Sequence, residues 1–331
     1  MAVEVSLKSK LTSIPLSILL LAVLASAVVS VPVAASGVGM WSATTSYPTT
    51  IYEQSCVVSG GYMYCVGGYT ESAYSSAVNF GSLSSSGVST WKSTASYPTN
   101  IAFQSCVVSG GYIYCVGGDT GVSPYDTSAV YFAPLSSGGV GSWTTTKSYP
   151  TPIYEQSCVV SGGYIYCIGG YTTSAVTSAV YFAPLSSSGV GSWVKTKSYP
   201  KPIHEGSCVV SGGYVYCVGG SNGVSVISAV YFAKLSSAGV GKWVKTTSYP
   251  TRIFVQSCVV NGGYIYCIAG FSKTDRVNTV YFASLSSGGV GSWVKTTSYP
   301  TPINDQSCAV SGSYIYCVGG TFTSAVYFAS V

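Results

Sequence analysis

Glu155-Gln156-Ser157-Cys158-Val159-Val160-Ser161-Gly162-Gly163-Tyr164-Ile165-Tyr166-Cys167-Ile168-Gly169-Gly170 is the stretch that decides the fold. Two runs rich in valine, isoleucine, cysteine and tyrosine flank Gly162-Gly163, and such side chains suit a pleated strand. Glycine takes positive φ without steric cost, so the pair makes a two-residue hairpin turn. Counted outward from that turn, Ser161 faces Tyr164 and Cys158 faces Cys167. The cysteines then occupy a non-hydrogen-bonded pair, with Cα atoms about 4.5 Å apart and within disulfide reach.

Outward from the hairpin, a polar stretch at 171–178 precedes a strand over 179–185, a turn over 186–191 and a strand over 192–196 around Trp193. Ser198-Tyr199-Pro200 then leads into another copy of the unit. The copies are regular: Trp41, Trp91, Trp143, Trp193, Trp243 and Trp293 step by 50, 52, 50, 50 and 50 residues. The 12 cysteines fall into equally spaced pairs: Cys56 with Cys65, Cys106 with Cys115, Cys158 with Cys167, Cys208 with Cys217, Cys258 with Cys267 and Cys308 with Cys317. Four strands in a period near 50 describe a propeller blade. Pairs that all fit one hairpin favour disulfides, since metal binding would want closer cysteines or histidines, and His204 is the only histidine. Reduced cysteines packed as small apolar side chains are the alternative.

In this register the chain resembles the kelch repeat. The double glycine that ends a strand in that family matches Gly67-Gly68, Gly117-Gly118, Gly169-Gly170, Gly219-Gly220 and Gly319-Gly320, with Ala269-Gly270 as the departure. The family's following tyrosine matches Tyr131, Tyr181, Tyr231, Tyr281 and Tyr327, with Asn79 in the first repeat, and its tryptophan matches in every repeat. The resemblance covers residues 38–331 and implies an all-β, six-bladed kelch-type β-propeller over 36–331, with four antiparallel strands per blade. The last repeat stops after its third strand at Val331, while a spare tryptophan strand stands at the front, from Val38 to Ala43. The N-terminal strand is therefore expected to complete the last blade, as kelch propellers often do, which hides an edge open to aggregation. Cys56, Val58 and Cys65 fall on one strand face, and Val57, Tyr64 and Val66 on the other. Both faces are apolar, as blades packed face to face require. The tryptophans are read as blade-to-blade packing, with a sugar-stacking platform as the alternative.

Charged residues make up 7% of the chain, and Arg252 and Arg276 are its arginines; this thin basic charge supplies no nucleic-acid stripe. Residues 1–35 read as an export signal: Lys8 and Lys10, an apolar run from Ile14, then small residues at Ala25-Ser26-Ala27 and Ala34-Ala35. An uncleaved anchor is the alternative, since roughly 20 apolar residues span a bilayer. The protein is expected to be secreted or held at the cell surface, with membrane contact only through an uncleaved N-terminus.

The search for chemistry yields no enzyme, cofactor or metal expectation. Two arginines do not make a sialidase-like carboxylate clamp, one histidine does not make a copper site, and no nucleophile motif accompanies His204. What varies between repeats locates a candidate site instead. The residues opening each first strand change: Tyr52-Glu53, Ala102-Phe103, Tyr154-Glu155, His204-Glu205, Phe254-Val255 and Asn304-Asp305. So does the loop between the second and third strands, longest at 119–128 and shortest at 321–324. The resemblance implies that both places lie on one face around the central channel. It also implies a charge inversion, because ligand-binding kelch domains often carry arginine where this chain has Glu53, Glu155, Glu205 and Asp305. The expected ligand-binding mouth is Glu53, Phe103, Asp119, Glu155, His204, Glu205 and Asp305, suited to a cation, an amine or a polyol. Solvated acids flanking a water-filled channel are the bland alternative. Two functions follow. One is a non-enzymatic extracellular or cell-surface structural protein whose N-terminal strand is donated to a neighbour to build a filament, with itself, other surface proteins or glycans as partners. The other is a secreted ligand-binding module, lectin-like or adhesive, that uses the acidic mouth.

Overall fold

The computed structural model describes residues 37–331, so the export signal or anchor expected over 1–35 lies outside the described residues. Blade one runs from the axis outward through Ser55–Ser59, Tyr62–Val66, Val78–Ser84 and Lys92–Ser93, all antiparallel, with Gly87–Val88 pairing the end of the third strand. The plan repeats in the next four blades, whose innermost strands begin at Ser105, Ser157, Ser207 and Ser257. The sixth blade has Ser307–Ser311, Tyr314–Val318 and Val326–Ser330, and its outer strand is Ser42–Ala43 from the other end of the chain. Ser42 pairs with Phe328 and Ala43 with Tyr327, so the N-terminal strand closes the ring as the strand count requires.

The hairpin register holds in every blade: Ser59 faces Tyr62, Cys56 faces Cys65, and Gly60 and Gly61 have φ of 56° and 78°. Six disulfides result, each with its Cα atoms 4.0 Å apart. The strands are shorter than the apolar runs suggest. In blade three the innermost strand begins at Ser157, and the outer strand is only Val194–Lys195. Glu155 ends the run because its φ is +56°, outside any strand conformation.

The core is a set of blade-to-blade interfaces. Val57, Tyr64 and Val66 of blade one lie against Cys106, Ile113 and Cys115 of blade two, and the same match recurs around the ring. The disulfides are therefore buried between blades, where Cys65 and Cys115 are both 0% exposed. At the outer edge a threonine of each blade grips the next. Thr94 donates to the Val140 carbonyl and accepts from the Val140 N–H, both at 2.9 Å. Thr296 makes the closing version, donating to the Val38 carbonyl at 3.4 Å. Each indole also reaches the preceding blade: Trp91 Nε1 donates to the Thr45 carbonyl at 3.0 Å, and its ring meets Tyr47 edge-on. Trp41 does the same with Thr297 and Tyr299. The tryptophans thus serve packing. The double glycines mark the places where the next blade's linker crosses. Gly68 N–H donates to the Ile101 carbonyl at 2.7 Å, and a Cβ on Gly67 would meet that oxygen.

Two outcomes follow. Deleting residues 37–46 removes the closing strand, the Thr296 grip and the Trp41 anchor, so the denaturant midpoint should fall sharply and recover when a peptide of residues 37–46 is added. Paired Cys106→Ser and Cys115→Ser changes should cost roughly 2–3 kcal/mol in the chain-entropy view of a short loop, read from chemical denaturation.

Candidate functional site

The site is built where each linker turns down into its innermost strand. Tyr52 is held by two backbone hydrogen bonds with Tyr69, at 3.1 and 2.8 Å. The next residue turns through the left-handed region: φ is 58° at Glu53, 60° at Phe103, 56° at Glu155, 53° at Glu205, 48° at Val255 and 60° at Asp305. None is glycine, and a β-branched valine in this region is strained. A closed belt of backbone bonds holds them there. Glu53 N–H donates to the Asp305 carbonyl, Phe103 to Glu53, Glu155 to Phe103, Glu205 to Glu155, Val255 to Glu205 and Asp305 to Val255, at 3.1–3.3 Å. The belt surrounds an axial cup of about 190 Å³ lined by these same residues.

A second tier lies one residue further along the chain, just before each innermost strand. Gln54, Gln104, Gln156, Gln256 and Gln306 each donate Nε2 to a carbonyl of the preceding blade, at 2.7–2.8 Å. Their Oε1 atoms are buried without a hydrogen-bond partner. Blade four has Gly206 instead, and the tier is broken there. Below it, the hydroxyl of Ser55, Ser105, Ser157, Ser207, Ser257 or Ser307 accepts the next blade's cysteine N–H at 2.9–3.0 Å. The opposite end of the channel is apolar, a cavity of about 370 Å³ walled largely by valine, Val58 and Val108 among them.

The acids of the belt crowd one another. Burial pushes the Glu53 carboxyl up to about 9, helped by Asp305, Glu155, Glu205 and Asp119. Glu205 is raised by burial and then by Glu155 and Asp305. Asp305 rises to about 6 through burial, opposed by a hydrogen bond from the Thr321 hydroxyl and by Arg276. Arg276 stands outside the cup, donating to Asn304 Oδ1 at 2.7 Å and lying over the Phe322 ring.

Of the residues expected at the mouth, Glu53, Phe103, Glu155, Glu205 and Asp305 meet around the cup. His204 does not line the cup; it stands behind two residues that do, with Nδ1 2.8 Å from Glu155 Oε2 and 3.4 Å from Glu205 Oε2. Asp119 does not join the ring. It lies in the longest loop, bridged to Ala102, and accepts hydrogen bonds from the Tyr74 hydroxyl at 2.9 Å and the Gly121 N–H at 2.7 Å. The glutamine tier was absent from the expected site. Its signal was the recurring Gln-Ser-Cys, which reads equally well as the start of a strand.

Crowded acids predict a pH dependence. The Glu53 carboxyl titrates near 9 in the folded protein and near its ordinary 4.5 when unfolded. The stability it contributes is thus complete below about 4.5 and is lost as pH rises through about 9. Glu53→Gln should therefore stabilise the protein at pH 8 by about 1–3 kcal/mol and have little effect at pH 4, measured by guanidinium unfolding.

No curated protein matches the chain. A solved chain described as "Structure of YjhT" superposes with a TM-score of 0.71 over 85% of this chain and 94% of that one, at 12% identity, which shows a shared fold alone. The family model for the KLHDC2/KLHL20/DRC7 Kelch-repeats domain matches residues 53–246 and 103–320. Those two overlapping matches run across most of the ring, and the chain belongs to the kelch-repeat propeller family.

Proposed function

We propose that this protein is a non-catalytic binding module of an oxidising, extracellular setting that takes a compact cationic or polyhydroxylated ligand into the axial cup. One observation carries the reading. Glu53, Glu155, Glu205 and Asp305 converge on a single cavity whose lining, among the described residues, includes no cationic side chain. Carboxyls that burial and their neighbours hold protonated, as at Glu53 and Glu205, ionise beside an arriving cation or donate to a hydroxyl. Aromatic rings stand around the rim, with Phe103 against Tyr154, Tyr154 against Tyr171 and Tyr52 against Tyr69. Such faces serve both cations and sugar rings. The disulfides support the setting, because they persist in oxidising compartments.

The test is calorimetric titration of spermidine and of neutral monosaccharides into the full chain. One of these classes should bind saturably, and the quadruple variant Glu53→Gln, Glu155→Gln, Glu205→Gln, Asp305→Asn should weaken it at least about 100-fold. Absence of saturable binding by either class would overturn the reading.

A second reading is a structural role by strand donation. It is favoured by the closure itself, since the outer strand of blade six pairs over only two residues and comes from the far end of the chain. The same strand in a neighbour's open blade would build a filament. Electron microscopy of the native, unreduced protein should then show filaments that disappear on deletion of residues 37–46; filaments that survive the deletion would exclude the mechanism.

A further inference from the structure

We propose that Glu155, His204 and Glu205 form a binding site for one first-row divalent metal ion, with zinc as the reference ion, beside the axial cup. The inference deepens the binding reading by naming the cation class at one part of the cup, and it rests on that reading.

Each of the three residues offers one ligand atom, and these atoms all lie within 4.8 Å of one another. A tetrahedral ion with bonds of about 2.0 Å holds its ligand atoms roughly 3.3 Å apart. His204 Nδ1 and Glu205 Oε2 already stand 3.4 Å apart. His204 Nδ1 and Glu155 Oε2, at 2.8 Å, need to open by only about 0.5 Å, exchanging one hydrogen bond for two metal bonds. The backbone is set in advance. Glu205 N–H donates to the Glu155 carbonyl at 3.1 Å, and His204 is tied to Ser221 by two bonds of 2.9 Å. The side chains are 12–17% exposed, open enough to admit an ion and too buried for full hydration of the carboxylates.

Blade four then departs from the other repeats twice, and both departures fall at this place. It supplies the chain's only histidine, and it has Gly206 where the other five blades have glutamine. The missing side chain leaves a void of about 10 Å³ lined by Glu155, Ser157, His204 and Gly206 among others. That is near the least space in which one water fits. Ile168 also lines the void, and its carbonyl lacks the glutamine amide that its five counterparts receive. Beside the site, Gln156 is 6% exposed, lines the same cup as Glu155 and has an Oε1 with no partner. A metal-bound water is the donor that such an acceptor lacks.

The donor set selects the ion class. One imidazole nitrogen with two carboxylates suits zinc and its first-row neighbours, whereas calcium and magnesium prefer oxygen alone. Three protein ligands leave a fourth position open.

The test uses the full chain, stripped with chelator and titrated with zinc chloride. Calorimetry and metal analysis after desalting should find one zinc per chain, and cobalt(II) should give the visible spectrum of a low-coordinate site. His204→Ala should weaken zinc binding by about 100-fold or more, beyond the scale of outer-shell changes. The double variant Glu155→Gln, Glu205→Gln should do the same, which guards against a folding defect peculiar to either variant. No retained zinc, or undiminished binding by His204→Ala, overturns the site. If zinc fails while spermidine or a sugar still saturates the cup, the metal site falls and the binding reading stands. If zinc binds as described and neither organic class does, the metal site stands and the wider reading falls.

Discussion

A propeller closes only if the backbone groups that meet at its axis find partners across blades. The innermost strands face one another with one edge each and form no ladder. A buried N–H or C=O without a partner costs about as much as a lost hydrogen bond. This chain answers with three tiers: a backbone belt at the acid ring, glutamine amides on strand-end carbonyls, and serine hydroxyls on cysteine N–H groups. The left-handed turn at Glu53 and its counterparts goes with the first tier, since there each residue presents its N–H to one neighbour and its C=O to the other. The acids reach the cup as a result of how the axis is satisfied.

Away from the axis the same neighbour-to-neighbour logic holds. Each disulfide presses on the valine and tyrosine face of the blade before it, each tryptophan reaches back to that blade, and each threonine grips the blade that follows. Stability in such an array is close to a sum of repeat and interface contributions. In a ring there is no terminal repeat, and Ser42–Ala43 is what removes the ends.

What could be read in the sequence was what depends on local spacing. The Gly60-Gly61 turn sets Cys56 opposite Cys65 through a count of a few residues, and the spare tryptophan strand implies closure by simple subtraction. The contents of the mouth were legible because Glu53, Phe103, Glu155, Glu205 and Asp305 share one repeat position. Asp119 stands off the ring because its loop, of unusual length, leans to Tyr74, a direction that a loop position in the sequence does not give. The role of Gln104 was hidden because its partner, the Val66 carbonyl, lies 38 residues back in another blade. His204 and Gly206 were each visible as exceptions, but their coincidence with Glu155, a full repeat earlier, exists only in three dimensions.

The belt at the acid ring has a sense of circulation. Every N–H points to the blade before it and every carbonyl to the blade after, so the peptide dipoles run nose to tail around a closed circuit. In a circuit of near sixfold symmetry their components in the plane cancel. A helix end would impose a fixed polarity on any ion placed before it. This ring imposes none across its plane, so the lateral field in the cup is written by side chains alone. The same scaffold can thus change the sign of what it attracts by exchanging a few residues at one repeat position, with the backbone left as it is.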